Sequence, residues 1–190
     1  MEVEDSYRHR GLRKRLVKKI EDKGIRDEAV LRAIGRVPRH IFFENAFLEH
    51  AYEDKAFPIG EGQTISQPYT VAFQTQLLRV RPGETVLEIG TGSGYQCCIL
   101  AELGARTYTI EMNKVLYTKA REYLNYLGYR ATFKLGDGTR GWETFAPYDK
   151  ILVTAGAPRV PGALLKQLKA PGILVIPVGD RNHQKMMRII

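Results

Sequence analysis

Long apolar runs are missing from this sequence. No stretch of its 190 residues approaches the ~20 consecutive apolar residues that cross a bilayer. The opening Met1-Glu2-Val3-Glu4-Asp5 is acidic where a secretory leader is basic and then apolar, so a cytoplasmic protein with no membrane partner is expected. Cysteine is scarce as well. Cys97 and Cys98 are adjacent in a predicted helix, where consecutive side chains do not face each other; this argues against a disulfide and suits small buried side chains. Of the four histidines, His9 falls in a basic helix and His40, His50 and His183 have no ligand-like spacing, so no metal site is expected. Internal repeats and low-complexity segments are absent too.

What remains is the composition of an ordinary globular chain. The hydrophobic share of 44% and charged share of 26% exclude the disordered and fibrous classes. The length suits one domain, 1–190, able to bury a sizeable core. A net charge of +8 would suit a nucleic-acid binder. Much of that excess, however, is Arg8, Arg10, Arg13, Lys14, Arg15, Lys18 and Lys19. With Leu12, Leu16, Val17 and Ile20 at helical spacing, these form an amphipathic helix with a solvated basic face, the alternative being an RNA or membrane patch.

Residues 1–80 read as helices and loops. Gly24 can end the first helix, Asp27 can cap a second carrying Val30, Leu31 and Ile34, and Pro38 closes that unit. A third apolar segment covers 41–48. The glycines and Pro58 within 54–67 exclude a regular element there, and Pro68 then suits the first position of another helix. From residue 81 the pattern alternates. Strands are predicted at 85–89, 107–111, 131–135, 150–154 and 173–178, with helices at 95–103, 114–127 and 162–168 between them. Strands joined by helical crossovers predict an α/β fold, a mostly parallel sheet with helices on both faces, preceded by the N-terminal helical segment.

The central motif is Glu88-Ile89-Gly90-Thr91-Gly92-Ser93-Gly94, a strand running into a glycine-rich turn and a helix. Alone it is a weak signal, because dinucleotide enzymes carry a related turn at the same place. Here the third glycine comes one residue early and Glu88 stands two residues before the first. A carboxylate there can meet the amino group of S-adenosylmethionine, whereas it would repel a pyrophosphate. Glu111 ends the next strand, where it can accept both ribose hydroxyls, with Met112 following. Asp137, before Gly138, ends the third strand and can accept from the adenine amino group. Each acidic residue alone suits a loop charge or a helix cap; three at successive strand ends favour a nucleoside site.

With these residues the chain resembles the class I methyltransferases and their Rossmann-like fold. The segment Phe57-Pro58-Ile59-Gly60-Glu61-Gly62-Gln63-Thr64-Ile65-Ser66-Gln67-Pro68 resembles, more narrowly, the signature of the protein L-isoaspartate O-methyltransferase family. The similarity runs from about Tyr52 to Gly179 and includes Gly136-Asp137-Gly138, Ala146-Pro147-Tyr148-Asp149 and Ile176-Pro177-Val178-Gly179. The resemblance implies a repair methyltransferase. S-adenosylmethionine would donate a methyl group to the free α-carboxylate of L-isoaspartyl residues in damaged proteins and peptides, and the ester would collapse to a succinimide. It implies Ser66 as the active-site residue, with Thr64, Gln67 and Tyr69 lining the same cleft. A serine two residues before Pro68 also suits a helix cap.

Two other functions compete. A nucleic-acid methyltransferase is favoured by charge alone. Thr154-Ala155-Gly156-Ala157-Pro158 lacks the Asn/Asp-Pro-Pro-Tyr/Phe motif that holds a flipped base, and no Pro-Cys pair supplies a cytosine C5 nucleophile. A non-catalytic cofactor-binding module is the third. The resemblance implies a further strand pair, with a Val-Pro-Leu-like segment, beyond the strand-like run 186–190. The expectation is that the C-terminal strands are truncated. Cofactor binding would survive, methylation would be slight or absent, and the open edge would favour association.

Overall fold

The Ser6 hydroxyl accepts the amide of His9 and starts helix α1 (Tyr7–Asp22), which ends where Gly24 takes a left-handed φ of +104°. The computed structural model describes residues 4–180 and 183–190, so residues 1–3 of the acidic opening lie outside it. Asp27 caps α2 (Glu28–Arg36) by accepting the amides of Ala29 and Val30. The basic face of α1 is not wholly solvated, which corrects the expectation. Arg13 is only 6% exposed, pairs with Asp5 at 2.9 Å, and donates to the Gly35 carbonyl and the Tyr52 hydroxyl. The apolar segment after Pro38 forms two 3-10 turns, Arg39–Phe42 and Asn45–His50.

The segment expected to be irregular contains a hairpin, β1 (Phe57–Gly60) against β2 (Gln63–Ile65). Pro58 is tolerated because each strand of a two-stranded ribbon has a free edge, so a missing N–H breaks no ladder. Helix α3 (Pro68–Leu78) follows, with proline at its first position.

The remaining elements are β3 (Thr85–Ile89), α4 (Tyr95–Glu102), β4 (Arg106–Glu111), α5 (Lys114–Leu127), β5 (Thr132–Leu135), β6 (Tyr148–Val153), α6 (Gly162–Lys166), β7 (Leu168–Gly179) and β8 (Gln184–Ile189). They build a six-stranded sheet in the order β5-β4-β3-β6-β7-β8, parallel except for the β7–β8 pair. β7 begins five residues earlier than predicted. Leu168 pairs with Tyr148, and the chain around Pro171 and Gly172 then bulges before Ile173 pairs with Lys150.

Alternation along the strands separates two apolar layers. Leu87, Ile151, Val153, Leu174 and Ile176 pack with Leu164 of α6 on one face, and Val86, Leu152, Ile173 and Val175 pack with Leu78 and Leu100 on the other. The N-terminal helices share a third cluster with α4 and α5, in which Ile20, Ile34, Ile99 and Leu124 are buried. Cys97 and Cys98 are free and buried there. Among the described residues no helix is long and apolar enough to cross a membrane.

Candidate active site

From β3 the chain moves outward through β4 and β5, then returns to β6 on the other side of β3. Such a reversal opens a crevice at the carboxyl ends of the strands. A cleft of about 760 Å³ lies there, large enough for a nucleoside-sized ligand. Residues 89–93, 110–113, 136–139 and 153–157 line it from the sheet, and residues 63–66, from the second strand of the hairpin and the residue after it, line it as well. Gly90, Thr91, Gly92, Ser93, Glu111, Met112, Asp137, Gly138, Thr64 and Ser66 are thus brought together.

Four expected site residues lie elsewhere. Gln67 turns back to donate to the Asp54 carbonyl at 3.1 Å, and Tyr69 stacks on Phe73. Gly94 serves packing: a Cβ there would come within 2.7 Å of Leu124, so its absence lets α4 start close against α5. Glu88 is the larger correction. Along β3 it shares the face of Val86, under α4, and it is fully buried beneath the turn, not open to the cleft. Thr109 donates to its carboxylate at 2.6 Å, and Thr91 of the glycine turn bonds Thr109 at 2.5 Å. Burial pushes its pKa up to about 8, against the lowering effect of the Thr109 bond and the Cys97 thiol beside it. Glu88 is therefore a neutral acid under the turn at pH 7.

Glu111 does face the cleft. Its two carboxylate oxygens accept the amides of Gly92 and Asn113, each at 2.8 Å, so the end of β4 fixes the turn after β3. Asp137 is exposed at the rim, and the Thr139 amide and hydroxyl hold its pKa below the usual range. Thr154, which the sequence did not single out, donates to the Gly90 carbonyl at 2.6 Å and lines the floor. Two carboxylates line this cleft and, among the described residues, no lysine, arginine or histidine does. In a chain of net charge +8, that distribution suits a cationic ligand and opposes a phosphate.

On the hairpin side, Ser66 is not the cap of α3. Gln67 takes that position, but its side chain accepts no backbone amide of the helix, and Asp54 accepts the Tyr69 amide at 2.8 Å instead. Lys23 pairs with the same carboxylate at 2.5 Å. Burial works to raise the Asp54 pKa, but the Lys23 and Tyr69 bonds hold it below its ordinary value. The Ser66 hydroxyl, among the described residues, has no protein partner. Away from the cleft, Asp5, His9 and His40 bring ligand atoms within 4.8 Å of one another, a grouping invisible in their spacing. There the Asp5 carboxylate already holds the Arg13 guanidinium through two bonds.

The sheet order, with its parallel centre flanked by helices, defines a Rossmann-like methyltransferase fold. Residues 11–190 match the model of the protein-L-isoaspartate(D-aspartate) O-methyltransferase family, and the chain belongs to that family. It is 65% identical over 187 residues to a protein-L-isoaspartate O-methyltransferase of Cytophaga hutchinsonii, covering 98% of this chain and 85% of that one. A solved structure of a protein-L-isoaspartate O-methyltransferase superposes with a TM-score of 0.82 at 28% identity, over 93% of this chain and 58% of that one. A Plasmodium falciparum structure in complex with S-adenosyl-L-homocysteine shares the fold, with a TM-score of 0.80 at 23% identity over 93% and 88%.

Proposed function

We propose that this chain methylates the free α-carboxylate of L-isoaspartyl residues in damaged cytoplasmic proteins, with the cofactor held by the sheet side of the cleft and the substrate presented on the hairpin side. The observation that carries this is that Ser66 and Thr64 line one cleft with the glycine turn and the carboxylates of Glu111 and Asp137, and that among the described residues no cation lines it. S-adenosylmethionine supplies a methyl group activated on a sulfonium. Glu111 would accept the ribose hydroxyls and Asp137 the adenine amino group, with Gly90, Thr91, Gly92, Ser93, Met112 and Gly138 lining the same pocket. Glu88 acts from below, through Thr109 and Thr91, in place of the direct contact expected from sequence.

No strong base is needed, because an α-carboxylate with a reference pKa near ~3.5 is already ionised at pH 7. The chain's task is to align that anion and to exclude water. The unpartnered Ser66 hydroxyl is free to donate to the carboxylate, so Ser66 orients the nucleophile and forms no covalent bond to it. Among the described residues no cation lines the cleft to hold nucleic-acid phosphates, which disfavours that alternative. Titration calorimetry tests the cofactor half: S-adenosylhomocysteine should bind in preference to a nicotinamide dinucleotide, and the reverse preference would overturn the assignment.

A further inference from the structure

Arg39 is fully buried. Its Nε donates to the Ala51 carbonyl at 3.1 Å and its Nη2 to the Ser66 carbonyl at 2.9 Å. Its guanidinium carbon lies 4.8 Å from the centroid of the Tyr95 ring and 5.4 Å from that of Phe43. Nη1 and the Tyr95 hydroxyl are both buried without a hydrogen-bond partner. No carboxylate pairs with Arg39 among the described residues; Asp54 acts on it only at longer range and is itself occupied by Lys23 and the Tyr69 amide. Desolvation depresses its pKa to about 10, which leaves it a cation at pH 7.

Burying a guanidinium with no counter-ion is costly, and an apolar side chain of similar volume would serve packing better. This cation contacts the carbonyls of Ala51, Lys55 and Ser66 and the rings of Phe43 and Tyr95, and two of these residues belong to the cleft. Ser66 is the hairpin-side residue of the cleft, and Tyr95 is the first residue of α4, directly after the glycine turn; both line the cleft. One side chain therefore bridges its two walls. A planar fork is suited to this, since it bonds two carbonyls in its plane while its face lies on an aromatic ring.

We propose that Arg39 is a positioning residue that fixes the Ser66 segment relative to the start of α4, setting the separation of the substrate and cofactor walls. The inference rests on the function proposed for Ser66. It does not require Arg39 to touch substrate, and Arg39 does not line the cleft. Asp54 completes the clasp, because its carbonyl takes the Gln67 side chain and its carboxylate the Tyr69 amide.

The test uses the full chain and compares the parent with Arg39→Met and Arg39→Lys. Hydrogen exchange should rise about tenfold or more in the segment containing residues 63–69 of Arg39→Met, with strand 85–89 unchanged, and Arg39→Lys should lie between. S-adenosylhomocysteine affinity should stay within about threefold, while kcat on an isoaspartyl peptide falls about tenfold or more, as a displacement of ~1 Å in the reacting groups can cost a hundredfold. Exchange and kcat both within twofold of the parent would overturn the proposal, as would a uniform rise in exchange across the sheet. If Arg39→Met does not fold, nitrogen NMR of the parent decides: a guanidinium with protected, slowly rotating Nη protons supports the clasp, and a freely rotating one contradicts it. A parent inactive on isoaspartyl peptide would count against the proposed function, while the exchange and NMR readouts would still decide the role of Arg39.

Discussion

The carboxylate of Glu111 accepts the amide of Gly92 at 2.8 Å, so the residue proposed to bind the ribose also holds the turn that would face it. Its second oxygen takes the Asn113 amide, and each oxygen retains a lone pair for a hydroxyl. Glu111→Ala should weaken S-adenosylhomocysteine binding by roughly 1 to 3 kcal/mol, the cost of losing a charged acceptor and leaving the part-buried amides of Gly92 and Asn113 without it. Calorimetry measures this directly, and an unchanged affinity would remove Glu111 from the cofactor site.

Gly90 has φ near +92°, and a Cβ there would lie 2.6 Å from the Thr154 hydroxyl that bonds its own carbonyl. Gly90→Ala should therefore destabilise the fold by about 1 to 3 kcal/mol and reduce cofactor affinity at least about tenfold. Adding Thr154→Ala relieves the clash but not the backbone strain, so the double variant should recover only part of the loss. Full recovery in chemical denaturation would show that the strained φ contributes nothing.

Glu88 should leave a mark on the pH dependence of stability. Its carboxyl titrates near 4.5 when unfolded and near 8 when folded, so between those values the folded state binds more protons and stability falls as pH rises. The slope is at most about 1.4 kcal/mol per pH unit. Glu88→Gln keeps the shape and an acceptor for Thr109 but removes the titration. Its melting temperature, relative to the parent, should rise steadily from pH 5 to pH 8; a constant difference would mean that Glu88 is not held neutral.

Ser66 and Asp54 separate catalysis from capping. Among the described residues the Ser66 hydroxyl has no protein partner, so Ser66→Ala should change stability by less than about 0.5 kcal/mol. Cofactor affinity should be nearly unchanged, and turnover slowed. Asp54→Ala removes the acceptor of the Tyr69 amide and the partner of Lys23, and should cost about 1 to 3 kcal/mol. Equal stability losses in the two variants, measured by urea unfolding, would contradict this division.

Elements with strong local signals were legible in the sequence. Helix α5 has its predicted bounds because Asn113 accepts the first amides and Gly128 ends it with a left-handed φ. Strand β3 likewise matches the apolar run before the glycine turn. The hairpin was hidden because Pro58 and the glycines, which break most strands, are tolerated in a narrow ribbon with free edges. Glu88 was legible as part of a motif but not in orientation; that is set by the face it shares with Val86 under α4. The Arg39 to Ser66 bond spans 27 residues between turns and follows no periodicity, so only the folded chain reveals it.

The central claim is tested most directly by incubating the protein with methyl-labelled S-adenosylmethionine and two peptides that differ only in an isoaspartyl or an aspartyl linkage. In the normal peptide the α-carboxyl is consumed in the backbone, and the remaining carboxylate sits one methylene out of place for the methyl group. An alkali-labile methyl ester should form on the isoaspartyl peptide and none on its twin, at whatever rate the chain sustains. Equal labelling of both peptides, or faster labelling of RNA than of either, would contradict it.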